Sequence, residues 1–525
     1  MPYKIPSNLD HAYLVGGQLT TNETMPFIPS INPATGEVLG YIADATTTQL
    51  DAAIMVAKEA QATWSRLRAR ERGQYLWHCA DLLDQHSAEL TQLLILETGK
   101  ALRTEGSLEI DFYTQVLRFY AGLGAEIKGQ NLPFDPNILA YTVHEPVGVV
   151  AAIIPWNVPV FLMMLKVAPA LLAGNSVIVK PSEEASFIVL RVAEIMNTIL
   201  PPGLLNVLPG RGENIGAALV QHPGINKVSF TGSVETGRLI AKSAGERLIP
   251  VTLGLGGKRP MIIYPDVDLD KVVAGAIAGV RFTRQGQSCS AASRIFVHYD
   301  IFEPFVEKMK SALNQLVIGD PMDEKTDVGA LISETQYKKV LGYIEEAKAL
   351  PYTEVIECAP LPKAPKLSKG YYLRPTLILK ARNSDRICQE EIFGPVTCII
   401  PWEYEEDVID QANATSFGLA GTVWTKDISK ALTIVDQLQA GFVQVNQNLV
   451  VQPGLPYGGF KNSGIGKEAS LESMIAHFMK TKTIMVNKES VWPHSSLKCN
   501  PCYVFLKGLE RRKPSEGFSG CRIII

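Results

Sequence analysis

The feature that most constrains the fold is a series of short β-branched runs that begins at Val147. The runs read VGVVAAII, SVIVK, LLNVLPG, NKVSFTG and IPVTLGLGG, and each of the first four precedes a segment with helical spacing of its apolar residues. Parallel strands need a crossover connection, which is usually a helix. We therefore predict a doubly wound parallel α/β sheet. A second alternating series from about Met261 to Tyr457 predicts a further α/β sheet.

The chain before this series carries turn and strand patterns up to residue 45, followed by three helical patterns. The helices are predicted at residues 47–64, 70–98 and 105–121. Residues 126–144 alternate as a strand pair around a turn at 133–137, and residues 482–487 predict a last strand.

Composition excludes several classes of protein. The 525 residues are 46% apolar and 20% charged with a net charge of -3, which gives no reason to expect binding to nucleic acid or to an anionic membrane. Eight scattered cysteines suit a reducing compartment, and the N-terminus lacks the apolar core of a signal peptide. The apolar stretch at 147–174 contains Pro155, Lys166 and Pro169, which are costly in lipid. We expect a cytoplasmic protein.

The C-terminal tail, residues 488–525, differs from the rest of the chain. After Lys488 it carries six Lys or Arg and three Glu without periodicity, which predicts a loosely ordered segment. Cys499 and Cys502 form a single C-x-x-C pair without further ligands, so no zinc site is expected. Cys521 is fifth from the end, which does not fit prenylation.

A candidate nucleophile, Cys289, lies in the segment FTRQGQSCSAASR at 282–294. The segment follows a long apolar helical run and precedes the strand-like Ile295-Phe296-Val297. A thiol in such a connection can be reached by a substrate, and neighbouring dipoles can lower its pKa. By itself, a lone cysteine in an intracellular chain is more often a core residue.

Polar residues also follow three strands of the predicted sheet. Asn157 could donate to an oxyanion or satisfy its own loop. Lys180 and Glu183 could contact a ribose or form a solvated helix cap. The glycines of FTGSVETG, from Gly232, would let backbone amides approach a pyrophosphate. Neither a G-x-G-x-x-G nor a Walker A motif is present.

Seven short sequence motifs, which follow one another along the chain, include the candidate residues described above. They are PWN at 155–157, KPSE at 180–183, FTGS at 230–233, LGGK at 255–258, GQSCSAASR at 286–294, EEIFGPV at 390–396 and PYGGFKNSGIGKE at 456–468. Over about residues 10–487 the chain resembles the NAD(P)-dependent aldehyde dehydrogenase superfamily. The resemblance implies a five-stranded Rossmann-like cofactor domain (residues 1–125 and 146–257) and an α/β catalytic domain (258–457). It also implies a β bridging arm (126–145 and 480–487) that builds homodimers or homotetramers.

The resemblance also implies a role for each matching residue. Cys289 matches the nucleophile, and Asn157 matches the side chain that completes the oxyanion hole with the Cys289 backbone N–H. The implied cofactor contacts are Lys180 and Glu183 (adenosine ribose), Gly232 and Ser233 (pyrophosphate), and Glu391 and Phe393 (nicotinamide ribose and ring). Trp156, in the PWN block, is a further implied cofactor residue without an assigned part of the cofactor. A carboxylate at Glu183 would repel a 2′-phosphate, which favours NAD over NADP.

One position departs from the family pattern. Where the family has LELGGK with a general-base glutamate, this chain reads LGLGGK with Gly254. In the implied reaction the Cys289 thiolate attacks the aldehyde, hydride leaves to nicotinamide, and water must then hydrolyse a thioester. Loss of a general base costs about 10²–10⁴-fold on the step that it serves.

Three interpretations of Gly254 remain open from the sequence, and Gly254 could also be a deliberate or accidental substitution. In the first, the protein is a dehydrogenase with slow deacylation, and Glu468 is the candidate substitute base. In the second, the acyl group passes to a thiol such as coenzyme A. In the third, the chain is a non-catalytic paralogue that binds NAD or partners. Against the third, every other matching position is intact.

The substrate is expected to be a neutral aliphatic or aromatic aldehyde. The positions that line the family tunnel are mostly apolar or mildly polar here: Val158, Phe161, Leu162, Leu165, Thr283, Ser288 and Ser290. Of the nearby residues considered, only Arg284 could pair with a substrate carboxylate.

Overall fold

The computed structural model describes residues 4–448 and 451–488. The described residues fall into two compact units. Among these residues, the larger unit contains 4–129, 143–448 and 451–482, and the smaller contains Gln130–Thr142 and 483–488. The predicted tail, with Cys499, Cys502 and Cys521, lies outside the described residues except for Lys488.

The strands, numbered in chain order, are Ala12–Val15 (β1), Gln18–Thr21 (β2), Phe27–Ile31 (β3), Val38–Ala43 (β4), Ile138–Pro146 (β5), Val149–Ile153 (β6), Ser176–Lys180 (β7), Leu205–Val207 (β8), Lys227–Thr231 (β9), Val251–Gly254 (β10), Pro260–Ile263 (β11), Arg294–His298 (β12), Glu354–Glu357 (β13), Thr376–Leu379 (β14), Val396–Trp402 (β15), Phe417–Gly418 (β16), Ala420–Trp424 (β17), Phe442–Val445 (β18), Phe460–Lys461 (β19), Gly464–Ile465 (β20) and Met479–Asn487 (β21).

The α-helices are Thr47–Trp64 (α1), Ala69–Gln85 (α2), Ser87–Thr98 (α3), Ser107–Gly122 (α4), Pro159–Leu172 (α5), Ser186–Asn197 (α6), Ala217–Gln221 (α7), Val234–Glu246 (α8), Leu269–Val280 (α9), Phe302–Asn314 (α10), Glu334–Ala349 (α11), Arg386–Gln389 (α12), Glu405–Asn413 (α13), Ile428–Val435 (α14) and Leu471–Phe478 (α15). Single π-turns at Leu102–Gly106 and Gly212–Gly216 precede α4 and α7.

The first large sheet has the strand order β2-β1-β8-β7-β6-β9-β10-β20. Its five central strands, β8-β7-β6-β9-β10, are parallel to one another, and β7 and β8 are buried along their whole length. Such apolar runs are stable only when helices cover both faces of the sheet. This five-strand parallel core confirms the predicted α/β class and the Rossmann-like arrangement.

The second sheet has the order β13-β14-β15-β12-β11-β17-β18 and is parallel except at β13. The residues between Gly254, at the end of β10, and Pro260, at the start of β11, connect the two sheets. The carboxyl ends of parallel strands lie at one edge of a sheet, and their amino ends lie at the other. This connection therefore joins the carboxyl edge of the first sheet to the amino edge of the second.

Two sequence predictions about local structure were wrong. The helix predicted at 70–98 is two helices that meet at His86, because residues 84–87 are all polar and no buried side chain fixes that turn. The strand pair predicted at 126–144 contains one regular strand, β5, and its other half forms only an isolated bridge from Asn131 to Tyr141. Pro133 and Pro136 lack the amide donors that a regular ladder would need. The partner of β5 is instead β21, which begins at Met479, before the predicted residue 482.

Candidate active site

A cavity of about 310 Å³ brings together residues from both sheets. Asn157 and Gly254 follow or end strands of the first sheet, whereas Cys289 precedes β12 of the second sheet. Glu468 and Tyr457 enter the same cavity from the C-terminal part of the chain. The structure therefore collects all four predicted reaction residues in one cavity, although they span more than 300 positions of sequence.

The segment at 282–294 that contains Cys289, here called the cysteine loop, is held in a fixed conformation. Gln285 and Gly286 both adopt positive φ angles, and a Cβ at Gly286 would lie 1.8 Å from the Gly394 carbonyl oxygen. Only glycine permits this approach to the segment that carries Glu391 and Phe393. The Gln287 side chain accepts a hydrogen bond from the Ile332 amide at 3.1 Å, which fixes the loop from its other side.

The Cys289 thiol is close to a tyrosine hydroxyl. Its Sγ lies 4.0 Å from Oη of Tyr457, and either group could donate. The pKa of the thiol is raised to about 11, mainly by burial and also by the nearby Glu391 carboxylate, and the Tyr457 hydrogen bond opposes this rise. In this state of the cavity the sulfur is a neutral thiol at neutral pH.

Asn157 occupies the position expected from the sequence, at the mouth of the loop after β6. Its side chain is 6% exposed, and its amide nitrogen donates to the Gln287 carbonyl at 3.2 Å. Gln287 is two residues before Cys289, so the amide lies beside the cysteine loop. An amide donor next to a nucleophile can stabilise an oxyanion that forms there.

Gly254 ends β10, beside Thr231 of the parallel strand β9. A Cβ at Gly254 would lie 3.1 Å from Oγ1 of Thr231 and otherwise meet only looser neighbours. The position borders the cavity, so a longer side chain would point towards the site without a backbone clash. No carboxylate is supplied from this position.

Glu468 is paired with a buried lysine. Nζ of Lys166, on α5, lies 2.7 Å from Oε1 of Glu468 and donates to Oγ1 of Thr231 at 2.8 Å. The Lys166 side chain is fully buried, and the Glu468 side chain is 10% exposed. Because burial lowers the pKa of the neighbouring Lys227 to about 7, this region already disfavours additional positive charge.

The predicted cofactor residues gather where the strands of the first sheet end. Lys180 ends β7, and its Nζ lies 3.2 Å from Oε1 of Glu183, which accepts from the Gly212 amide at 2.7 Å.

Ser233 caps the 13-residue helix α8 by accepting from the Thr236 amide at 3.2 Å. Gly232 donates its amide to the Gly254 carbonyl at 3.0 Å. A carboxylate and the amino end of a helix at the same edge of a parallel sheet are suitable for a dinucleotide.

The residues predicted for the nicotinamide end lie around the connection between the sheets. Glu391 accepts from the Gly257 amide at 2.9 Å, and burial raises its pKa to about 6. Phe393 packs edge-to-face against Trp156, with ring centroids 5.3 Å apart. A Cβ at Gly256 would fall 2.4 Å from Oε2 of Glu391, so this close approach requires glycine.

Sequence reasoning missed several residues of the cavity. Tyr457 lies in the motif PYGGFKNSGIGKE, but the sequence alone assigned it no role. Lys166 was noted only as a residue that is unfavourable in lipid. A single lysine in an otherwise apolar helix was the signal that could have found it. Arg284 is not available for a substrate, because Glu105 holds it through contacts of 2.7 and 2.5 Å. A different arginine, Arg281, borders the cavity and was not considered.

Within residues 4–448 and 451–488, no helix is long and apolar enough to cross a membrane. In the same part of the chain, no group of three or more His, Cys, Asp or Glu residues could hold a metal ion. Five cysteines in it, including Cys289, are free thiols.

Comparison with known proteins gives a consistent result. The model of the aldehyde dehydrogenase family matches residues 19–484. The chain is 40% identical over 465 residues to an aldehyde dehydrogenase of Enchytraeus buchholzi, covering 87% of this chain and 92% of the relative. It is 37% identical over 488 residues to phenylacetaldehyde dehydrogenase of Pseudomonas fluorescens, covering 91% and 96%. The solved NAD+ complex of an aldehyde dehydrogenase from Bacillus cereus superimposes with a TM-score of 0.87 at 36% identity, covering 92% of this chain and 97% of that one.

Proposed function

The chain belongs to the aldehyde dehydrogenase family, and from this premise we propose that it oxidises an aldehyde to a carboxylic acid with NAD, through a thioester on Cys289 whose hydrolysis is slow. The observation that carries the proposal is the cavity that Cys289 and Asn157 share with Gly254. It contains the groups for the first half of the reaction, whereas the position of the family's general base carries no side chain.

Formation of the thioester, the acylation step, uses Cys289, Asn157 and Tyr457, which all border the cavity. Once the thiol has lost its proton to solvent, the Cys289 thiolate attacks the aldehyde carbon, and the oxyanion takes hydrogen bonds from the Asn157 amide and the Cys289 backbone N–H. To reach this geometry, Asn157 exchanges its bond to the Gln287 carbonyl for one to the substrate oxygen. Tyr457 donates to the sulfur while the thiolate is present. Hydride departure then leaves the thioester on Cys289.

NAD accepts that hydride when it is bound. Lys180 and Glu183 would hold its adenosine ribose, the amino end of α8 with Gly232 and Ser233 its pyrophosphate, and Glu391, Phe393 and Trp156 its nicotinamide end. The Glu183 carboxylate disfavours the additional phosphate of NADP. The B. cereus relative in its NAD+ complex supports this choice of cofactor.

Deacylation is the weak step of the proposed reaction. Water must lose a proton as it attacks the thioester, and Gly254 cannot accept it. Glu468 borders the same cavity and is the substitute that we propose. Its Oε1 accepts a hydrogen bond from Lys166 at 2.7 Å, so that oxygen must give up this contact before it can bind the attacking water. The hydrolysis step should therefore be slow but present.

A second candidate is a non-catalytic member of the family that binds NAD. Two observations favour it: Gly254 supplies no base, and the remaining carboxylate is already in an ion pair. Transfer of the acyl group to coenzyme A is a third outcome, for which the chain offers no specific binding feature.

We also propose the domain assignment given by the family, with residues 1–125 and 146–257 as the NAD-binding domain and 258–457 as the catalytic domain. The arm at 126–145 and 480–487 would pair two copies in a homodimer or homotetramer. In support, β5 and β21 form a two-stranded sheet, and strand residues Leu139, Met485 and Val486 are exposed in the single chain. Free thiols at all five described cysteines suit a cytoplasmic location.

The test of the proposed function is a rapid-mixing trace of NADH formation with a panel of aldehydes. We expect a burst of about one NADH per subunit followed by a slow steady rate, because acylation outpaces hydrolysis. Cys289→Ala should abolish both phases. Bound NAD with no NADH from any aldehyde would establish the non-catalytic alternative, and a steady rate that rises only with added coenzyme A would establish acyl transfer.

A further inference from the structure

The positive and negative charges of the side chains around the cavity do not cancel. Three carboxylates border it, and each has its own cationic partner: Glu105 with Arg284, Glu109 with Lys100, and Glu468 with Lys166. These three pairs are neutral as units. Any further charged group at the cavity wall is therefore uncompensated.

Arg281 is such a group. It borders the cavity, and within residues 4–448 and 451–488 no carboxylate is paired with it. Its Nε is buried without a hydrogen-bond acceptor, and Nη2 makes a long contact of 3.5 Å to the Asn448 carbonyl. The nearest acidic influence is Glu105, whose oxygens are already taken by Arg284 and Thr283.

The backbone holds Arg281 in place. It is the C-cap of α9 with a φ of 60°, and its carbonyl accepts hydrogen bonds from the Arg284 and Gly286 amides at 2.9 and 2.8 Å. These bonds tie Arg281 to the first turn of the cysteine loop. Its position is therefore part of the same rigid segment as the nucleophile.

Arg259 adds a second positive charge behind Arg281. It is 1% exposed, and Nη1 donates to the Ser290 carbonyl at 3.1 Å, next to Cys289. Nη2 donates to Thr422 and Asn448, while Nε is buried without an acceptor. Neither partner is a carboxylate, and Arg281 and Arg259 repel each other.

The nucleophile does not supply the missing negative charge. Burial raises the pKa of Cys289 to about 11, so the resting sulfur is neutral, and Tyr457 is also protonated because burial raises its pKa well above the usual value. Arg281 on the cavity wall and Arg259 behind it thus each keep a buried Nε–H without an acceptor, and neither is paired with a carboxylate among the described residues. Because removing an unpaired charge from water is costly, an anionic ligand at this position would be stabilised.

We propose that Arg281, supported by Arg259, is a subsite for a carboxylate at the far end of the aldehyde substrate, so that the preferred substrates are ω-carboxy aldehydes. This inference deepens the proposed function and depends on it. A guanidinium group matches a carboxylate in shape and charge. Phe112, Phe161 and Leu162 on the wall of the cavity suit the methylene chain between the two ends. The inference reverses the neutral substrate expected from sequence, which considered only Arg284.

The first test compares kcat/KM for succinic, glutaric and adipic semialdehydes with that for butanal, pentanal and hexanal. The ratio cancels any general loss of activity. In the native protein we expect at least one semialdehyde to exceed its neutral counterpart, and Arg281→Met should lower that ratio about 10- to 100-fold, as expected for loss of a hydrogen bond between charged groups. Arg281→Lys should lie between them. Lys310→Met, which removes a cation from the exposed side of α10, should leave the ratio unchanged.

The second test does not need turnover. Glutarate and glutaramide are compared as protectants of Cys289 against iodoacetamide, with the modified residue identified by mass spectrometry. Glutarate should protect the native protein at lower concentration than glutaramide, and Arg281→Met should remove that difference. If no aldehyde forms NADH but this pattern holds, the proposed function fails and the anion site remains. If NADH forms while Arg281→Met and Lys310→Met behave alike in both tests, the anion site is refuted.

Discussion

Tyr457 and Glu468 face each other across an antiparallel bridge and exchange two backbone hydrogen bonds of 2.9 and 2.8 Å. Residues that are directly opposite in such a pair project to the same side. The bridge therefore places the tyrosine hydroxyl beside the Cys289 thiol and the glutamate beside Lys166, both on the cavity. One backbone pairing thus positions the groups that we assign to the two halves of the reaction.

Gly254→Glu should accelerate the steady rate of NADH formation by up to about 10²–10⁴-fold, because it restores a base for hydrolysis, while the burst amplitude stays near one NADH per subunit. The new Cβ would lie 3.1 Å from the Thr231 hydroxyl, which can move by a few tenths of an ångström. Stopped-flow traces at saturating NAD measure both phases. Gly254→Gln is the matched control, since it adds similar volume without a base. Equal acceleration by Gln and Glu would show that the effect is one of packing.

Glu468→Gln should slow the steady rate at least about tenfold in the native background, with the burst retained, if Glu468 serves as the substitute base. In a Gly254→Glu background, Glu468→Gln should lower the steady rate much less. The effects of two substitutions are not additive when both residues can serve as the base for the same step. Glu472→Gln, at an exposed position on α15, is the control. An equal loss in both backgrounds would mean that Glu468 acts through structure alone.

The same substitution has a consequence for stability. Lys166 is fully buried, and Glu468→Gln removes its charged partner, which typically costs about 3–5 kcal/mol. Denaturant titration should show the loss. Kinetic measurements on this variant are therefore made well below its unfolding transition.

The reactivity of Cys289 should depend strongly on pH in the absence of ligands. With a thiol pKa of about 11, the thiolate fraction rises about tenfold per pH unit over the neutral and mildly alkaline range. Iodoacetamide modification should follow the same slope. Tyr457→Phe removes a hydrogen bond that lowers this pKa, so it should slow modification about 2- to 10-fold at fixed pH. The exposed Tyr404→Phe serves as control, and a rate independent of pH would contradict the assignment.

Glu183→Gln should improve binding of NADP relative to NAD by about 5- to 10-fold, because it removes a charge that repels the 2′-phosphate. The neighbouring Glu184→Gln is a matched control, as its carboxylate is engaged by the Ser182 hydroxyl. Fluorescence titration with the reduced cofactors gives both dissociation constants. If both variants change the NADP-to-NAD ratio equally, Glu183 does not select the cofactor.

The sequence alone determined the fold class, the parallel core of the first sheet and the local position of each proposed reaction residue. These follow from local information: the two-residue and 3.6-residue periods of the strands and helices, and short motifs that stand where strands end. The break at His86 and the irregular half of the arm escaped it, because the spacing of apolar residues does not reveal a turn made of polar residues or a strand interrupted by prolines.

Only the tertiary structure decided which charges are already used. Arg284 looked free in the sequence until Glu105, more than 170 positions away, proved to hold it, and Arg281 became notable because no carboxylate among the described residues reaches it. Pairing of charges depends on distances of a few ångströms between segments far apart in sequence. A list of residue types contains no such distances, and for this reason the chemistry of the cavity could be assembled only after the chain was folded.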